Sequence, residues 1–129
     1  MRKEIEDWYK QAEQDFSDAE YSFKGARYSL AAFLCQQSVE KSLKALFLLT
    51  KKTELPKSHS LIYFAEQTKV PKHFLPFLGE LTPSFVTTRY PDVAGDLPSK
   101  LYSKENTEPI IKKSREVLEW IKKQLSNHS

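Results

Sequence analysis

Apolar residues recur at steps of three and four towards both ends of the chain, the spacing of one face of an α-helix. Over residues 2–24 these positions are Ile5, Trp8, Ala12, Phe16, Ala19 and Phe23. The run 29–52, with Ser29 as a candidate N-cap, is apolar on much of its circumference, which is typical of a central bundle helix. A third run opens with Thr107-Glu108-Pro109, where an acid and a proline indicate a first helical turn. The pattern predicts three long helices.

Seven prolines between positions 56 and 109 interrupt the middle of the chain. Because proline disrupts a helix interior, this region is predicted to form short helices over 60–69 and 71–81. Residues 82–106 are predicted to be a long irregular segment, of the kind that often carries function. No stretch alternates apolar and polar residues for long enough to favour a sheet. The expected fold is therefore all-α, an antiparallel up-and-down bundle of four to five helices.

Composition narrows the class of protein. A chain of 129 residues fits a single domain, 1–129, and its one cysteine, Cys35, lies in an apolar run and is predicted to be a core residue. Three widely spaced glycines exclude a glycine-rich phosphate loop. The apolar runs are too short for a membrane span, and the polar first residues do not resemble a signal peptide. A cytoplasmic protein without membrane contact is expected.

Charge is unevenly distributed along the chain. The formal net charge is +3, but residues 1–20 carry a net −4 and the remainder +7. Either neighbouring helices pair with one another, or the basic part offers a surface to an anionic partner.

No histidine follows a glutamate at the spacing that di-iron bundles use, and there is no cysteine cluster. Neither a metal nor another cofactor is expected.

The second predicted helix carries a polar stripe. Gln36, Glu40 and Lys44 follow one another at steps of four, in the order that favours a helical ion pair, with Gln37 and Lys41 beside them. The simplest interpretation is a solvated face with a surface ion pair. If the stripe is buried, its polar groups need partners from another helix, a second subunit or a ligand.

One acidic residue, Asp15, interrupts the apolar stripe of the first helix. A carboxylate in such a position is costly unless it is paired. We therefore predict an ion pair between Asp15 and either Lys41 or Lys44 across the helix interface. The alternative is a role for Asp15 in a binding site.

A further candidate site is the tetrapeptide Arg89-Tyr90-Pro91-Asp92. Pro91 favours an extended Tyr90, and Asp92 can brace a turn. Arg89 then offers a planar guanidinium suited to phosphate, beside a ring able to stack on a base. The alternative is a turn held against the bundle by Tyr90.

His59 is predicted to cap a short helix, with an anion contact as the alternative.

Four segments, taken in order, resemble the HEPN domain family (higher eukaryote and prokaryote nucleotide-binding) over nearly the whole chain. They are Trp8-Tyr9-x-x-Ala12-x-x-Asp15-Phe16-x-x-Ala19, Gln36-Gln37-x-x-Glu40-Lys41-x-x-Lys44-Ala45, His59-Ser60-Leu61 and Arg89-Tyr90-Pro91-Asp92. The resemblance implies an antiparallel helical bundle that commonly dimerises, here as a homodimer, and an association with nucleotides or RNA. It also implies a partner, because many small members act beside a minimal nucleotidyltransferase, often as a toxin–antitoxin pair.

Other members of this family are metal-independent ribonucleases, marked by an arginine followed four to six residues later by a histidine. No arginine of this chain has a histidine at that spacing, so a non-enzymatic role is favoured. We expect a nucleotide- or RNA-binding accessory protein in which Lys41, Lys44 and Arg89 meet phosphate in one concave pocket. Tyr90 would contact a base or the partner. The expected supporting residues are Asp15, Gln37, Glu40, His59 and Asp92. The alternatives are a divergent ribonuclease centred on Arg89 and a structural dimerisation module.

Overall fold

The computed structural model describes residues 2–127, and Met1, His128 and Ser129 lie outside the described residues. Its helices, in chain order, are α1 (Lys3–Lys24), α2 (Tyr28–Lys51), α3 (Leu61–Gln67), a 3-10 turn (Lys72–Phe74), α4 (Leu75–Leu81), α5 (Ser84–Thr87), α6 (Pro91–Ala94), α7 (Pro98–Leu101) and α8 (Lys104–Asn127). No strand occurs between residues 2 and 127. Five helices of seven residues or more, α1 to α4 and α8, form a bundle, which confirms the predicted all-α class.

Helix α1 runs antiparallel to both of the other long helices, α2 and α8. A three-residue turn, 25–27, joins α1 to α2, and the two helices pack along their length. The end of α1 lies beside the first half of α8, where the Arg115 guanidinium is 2.6 Å from the Glu20 carboxylate. Helix α8 therefore runs opposite to α1, as an up-and-down arrangement requires.

The core is built around α2, which packs on both α1 and α8. Leu43 and Leu46 on α2 are completely or almost completely buried, and Phe47 meets Phe64 of α3 edge to face with ring centroids 5.7 Å apart. Cys35 is fully buried, as predicted. Burial on most sides of α2 explains why its sequence is apolar around much of its circumference.

Two predicted helix starts were wrong. Helix α2 begins at Tyr28, with Arg27 rather than Ser29 at its N-cap. Helix α8 begins at Lys104 and not at 107, because Ser103 and Asn106 exchange capping hydrogen bonds of 2.8 and 3.2 Å. This reciprocal cap satisfies two backbone N–H groups at the helix start. Pro109 consequently lies inside α8, where it removes one helical hydrogen bond instead of marking the first turn.

The prediction of an irregular segment over 82–106 was also wrong. This segment contains the three single-turn helices α5, α6 and α7 and the first residues of α8. Pro91 and Pro98 stand at the starts of α6 and α7, where a proline has no helical hydrogen bond to lose.

Among residues 2–127, no helix is both long and apolar enough to cross a membrane.

Candidate functional site

Asp15 forms the predicted ion pair with Lys41. The Lys41 Nζ is 2.6 Å from Oδ2 of Asp15, across the interface between α1 and α2. The other carboxylate oxygen accepts a 2.8 Å hydrogen bond from the side-chain amide of Gln11, one helical turn earlier. The Asp15 side chain is 8 % exposed and that of Lys41 24 %. The pair thus neutralises a carboxylate that the helix interface removes from water.

The polar stripe of α2 is buried, so its interpretation as a solvated face was wrong. Gln36 is fully buried and Glu40 is 4 % exposed. The amide of Gln36 donates to Oε1 of Glu40 at 2.9 Å, and the Lys44 ammonium donates to Oε2 at 2.9 Å. Gln37 completes the chain by donating to Oε1 of Gln36 at 2.7 Å. Each buried acceptor along the stripe therefore has a donor within the protein.

His59 is the third donor to Glu40, and it comes from outside α2. Its Nδ1 lies 3.0 and 3.3 Å from the two carboxylate oxygens. Burial alone would raise the pKa of Glu40, but the hydrogen bonds from Lys44, Gln36 and His59 outweigh burial, so the pKa of Glu40 lies below its ordinary value. An ionised carboxylate only accepts, so Nδ1 of His59 carries the proton of this hydrogen bond, and in the neutral tautomer that fits this contact Nε2 is the acceptor.

The prediction that His59 caps a helix was wrong. Ser60 is the N-cap of α3, and its hydroxyl accepts from the backbone N–H of Tyr63 at 3.2 Å. His59 instead stacks on Phe85 of α5, with ring centroids 4.5 Å apart, while its Nδ1 reaches Glu40. It thereby ties α5 to the centre of α2.

Lys44 is enclosed by aromatic rings as well as paired with Glu40. Its ammonium lies 5.3 Å from the ring centroid of Trp8 on α1 and 5.8 Å from that of Phe64 on α3. Both distances are within the range of cation–π attraction. Only 13 % of the Lys44 side chain is exposed. Its charge is therefore already satisfied on three sides.

Arg89 has a different environment. Its guanidinium carbon lies 4.8 Å from the ring centroid of Phe33 on α2. Arg89 is exposed, and no carboxylate of residues 2–127 forms an ion pair with it. Tyr90 is 54 % exposed and extended, as Pro91 predicted, with φ −124° and ψ 109°. Asp92 is exposed in the first turn of α6.

The candidate residues follow α2 as a row rather than closing around one pocket. Phe33, beneath Arg89, and Lys44 are separated by about 16 Å of helix at 1.5 Å per residue. Lys41 and Lys44 both have carboxylate partners, so of the three expected phosphate contacts only Arg89 offers an uncompensated charge. Within the described part of the chain, no group of three His, Cys, Asp or Glu side chains is arranged to bind a metal.

Sequence reasoning missed the aromatic residues that hold these cations. Trp8 was placed on the apolar face of α1, but no cation was predicted beside it, beside Phe33 or beside Phe64. Phe85 stood in a segment without a pattern. Helical spacing places a ring on a face, but nothing in the sequence indicates which cation of another element meets it.

Comparison with known proteins gives a consistent result. Residues 5–124 match the family model of the HEPN domain. Protein TT1696 from Thermus thermophilus has a similar fold, with a TM-score of 0.83 at 24 % identity, over 95 % of this chain and 98 % of that one. The solved structure of ST0689, an archaeal HEPN homologue, is similar with a TM-score of 0.79 at 33 % identity, over 96 % of this chain and 98 % of that one. No curated protein matches. This chain belongs to the HEPN domain family.

Proposed function

We propose that this chain is a nucleotide- or RNA-binding accessory protein in which Arg89 makes the main contact with phosphate. The observation that carries the proposal is the setting of Arg89, an exposed guanidinium over Phe33 without an ion-pair partner among residues 2–127. A guanidinium supported on a ring keeps its planar set of N–H donors available for phosphate oxygens. Tyr90, the next residue, offers an exposed ring on which a base can stack.

Lys41 and Lys44 take a secondary part in this proposal. Each would have to leave Asp15 or Glu40 before it could reach a phosphate. Their main contribution is then to hold α1, α2 and α3 together around the row of polar residues. Gln37 lies one helical turn from both Phe33 and Lys41 on α2 and is half-buried, so in this proposal its carbonyl oxygen and second amide hydrogen contact the ligand.

Calorimetric titration of the protein with ATP, GTP and a short single-stranded RNA tests the proposal. We expect binding that Arg89→Ala abolishes. Arg115→Ala is a matched control, because Arg115 also lies over an aromatic ring, Phe16, at 5.6 Å but is paired with Glu20. Absence of binding with all three ligands, or equal loss in both variants, contradicts the proposal.

Salt dependence of RNA binding separates one phosphate contact from three. A single contact gives a slope of log K against log salt of about −0.7, whereas contacts from Lys41, Lys44 and Arg89 together would give about −2. Because Lys41 and Lys44 are already neutralised, we expect the smaller slope. A slope near the larger value would show that both lysines leave their carboxylates on binding.

We also propose that the protein acts beside a minimal nucleotidyltransferase in a toxin–antitoxin-like pair. Membership of the HEPN family supports this partnership. Co-expression with a nucleotidyltransferase encoded beside the gene, followed by purification of one tagged partner, tests it. We expect the two proteins to copurify in equal amounts, and elution of the tagged protein alone would contradict the partnership.

A second candidate function, metal-independent cleavage of RNA, is favoured by one observation. The buried Glu40 carboxylate binds Nδ1 of His59, whose side chain is 54 % exposed. This arrangement leaves Nε2 able to accept a proton from a 2′-hydroxyl, while Arg89, which lies over Phe33 of α2, could stabilise charge on the phosphate. The histidine thus comes from a position 30 residues before the arginine, not after it.

Incubation of the protein with tRNA in the presence of a chelator tests this second function. Cleavage that both His59→Ala and Arg89→Ala abolish supports it, with His73→Ala as a control at an exposed histidine on the 3-10 turn. Intact tRNA after incubation with the wild-type protein, while nucleotide binding persists, leaves the accessory function alone.

A further inference from the structure

A partly enclosed cavity of about 190 Å³ lies between α4 and the first half of α8, away from the row of polar residues on α2. We call it the α4–α8 cavity. Its lining residues are Phe77, Glu80 and Leu81 on α4 and Asn106, Pro109, Ile110 and Lys113 on α8. In both helices they recur at steps of three and four, so each set forms one helical face. Two helix faces therefore enclose this space.

The wall of the α4–α8 cavity is largely apolar. Phe77 is 8 % exposed and Leu81 2 %, and both belong to the hydrophobic core, against which Ile110 also packs. An apolar cavity of about 150 Å³ is large enough to admit benzene. The α4–α8 cavity therefore has room for one apolar group of the size of a leucine or phenylalanine side chain.

Two opposite charges line the same cavity without a partner. Glu80 on α4 and Lys113 on α8 are both exposed, and neither forms an ion pair within residues 2–127. They are thus too far apart to pair with each other. The Lys113 ammonium instead lies 5.9 Å from the ring centroid of Phe77. The cavity combines an apolar wall with one uncompensated cation and one uncompensated anion.

Pro109 adds a backbone acceptor at this place. Proline has no N–H, so the carbonyl of Glu105 lacks the donor that the fourth residue after it supplies in an uninterrupted helix. A helical carbonyl points along the axis towards that later residue, and Pro109 lines the cavity. The Glu105 carbonyl oxygen is therefore on the cavity side of α8, where it can accept a hydrogen bond from an ammonium group.

We propose that the α4–α8 cavity binds a free α-amino acid with an apolar side chain, such as leucine. The side chain enters the apolar cavity, the carboxylate meets Lys113, and the ammonium meets Glu80 and the carbonyl of Glu105. An α-amino acid suits this arrangement because it carries both charges beside a single apolar group. The proposal does not depend on nucleotide binding, since Arg89 does not line the cavity.

Titration of the isotopically labelled full chain with L-leucine, followed by NMR, tests the proposal. We expect saturable shifts of the backbone amide signals of residues 77–81 and 106–113. The expected Kd is about 1 mM, as is usual for so small a ligand. Isocaproate lacks the ammonium group of leucine, isoamylamine lacks its carboxylate, and glycine lacks its side chain. Each of the three should bind at least about tenfold more weakly than leucine.

Substitution of the two charged residues locates the ligand. Lys113→Gln and Glu80→Gln should each weaken leucine binding by at least about tenfold. Lys112→Gln is the matched control, because Lys112 is the preceding residue and is also exposed but faces the groove between α8 and α1. The replaced side chains are all exposed, so the circular dichroism spectra should not change. Arg89→Ala should bind leucine as the wild type does, whatever its effect on nucleotide binding.

Three results would overturn the proposal. The first is an absence of shifts in these amide signals at about 20 mM leucine. The second is binding of isocaproate or isoamylamine as tight as that of leucine, because the cavity would then recognise only one charge. The third is leucine binding that both Lys113→Gln and Glu80→Gln leave intact.

Discussion

Replacing Glu40 with glutamine is the most informative test of the buried polar stripe. The substitution keeps the shape of the side chain but removes the charge that three donors, Gln36, Lys44 and His59, share. Loss of one partner from a buried ion pair typically costs about 3–5 kcal/mol of stability. Lys44 keeps 13 % of its side chain exposed and can turn towards water, so we expect a smaller loss of about 2–3 kcal/mol.

Urea unfolding followed by circular dichroism measures this loss directly. Thermal unfolding is a second measurement. For a domain of this size we expect the midpoint temperature of Glu40→Gln to lie about 10 °C below that of the wild type, at about 4 °C per kcal/mol. A double-mutant cycle with Lys44→Met isolates the interaction between Glu40 and Lys44, for which we expect a coupling above about 1 kcal/mol. An unchanged m-value would show that the variants and the wild type expose the same amount of surface when they unfold.

The pair Lys3–Asp7 provides a matched control for Glu40→Gln. Its two residues are also four apart on a helix and their charged atoms are 2.6 Å apart, but their side chains are 86 % and 56 % exposed. Because water screens an exposed pair, Asp7→Asn should leave the urea midpoint unchanged within error. If Glu40→Gln shifts the midpoint no more than Asp7→Asn, burial of the stripe does not stabilise the fold and the reasoning fails.

Three further predictions concern groups near α2. The fold lowers the pKa of Glu40, so its stabilising effect is full above the ordinary value of 4.5 and is lost at lower pH. The difference in urea midpoint between wild type and Glu40→Gln should therefore shrink between pH 7 and pH 3, and a constant difference would contradict it. Lys41→Met should cost about 2 kcal/mol in urea unfolding, because Asp15 keeps only Gln11 as a partner, and Asp15→Asn should reduce that cost in the double variant. Burial raises the pKa of Cys35 to about 12, so a thiol reagent should react only in denaturant, and rapid reaction of the native protein would show that α2 is open there.

The long helices and one ion pair were predictable from the sequence, because both depend on local spacing. Helix α1 was predicted over 2–24 and spans Lys3–Lys24. Asp15 stood out as a polar residue in an apolar stripe, and helical geometry left few cations within its reach. Periodicity and the cost of burying a charge were sufficient for these predictions.

Features set by contacts between distant segments could not be predicted in the same way. The stripe on α2 was expected to be solvated, but α1 and His59 bury it. The sequence pattern of α2 does not show which distant segments will cover it. The segment 82–106 contains prolines that look like helix breakers but that begin α6 and α7. A proline breaks a helix in its interior but is tolerated in its first turn. Where a helix begins depends on the packing of neighbouring segments, so the sequence alone does not show which case applies.

The ion pairs along α2 also limit what the candidate site can bind. If Lys41 and Lys44 moved to bind a ligand, Asp15 and Glu40 would each lose an ion-pair partner. The free-energy cost would be about 2 kcal/mol for each pair. Each such cost lowers affinity by about thirtyfold, so a new contact with phosphate, worth about 1.5–3 kcal/mol, gives little net gain. Arg89 carries no such cost, because no carboxylate within residues 2–127 has to release it. Under the proposed function the cations therefore have separate roles: the two paired lysines hold the bundle together, and Arg89 is the residue that meets an anion.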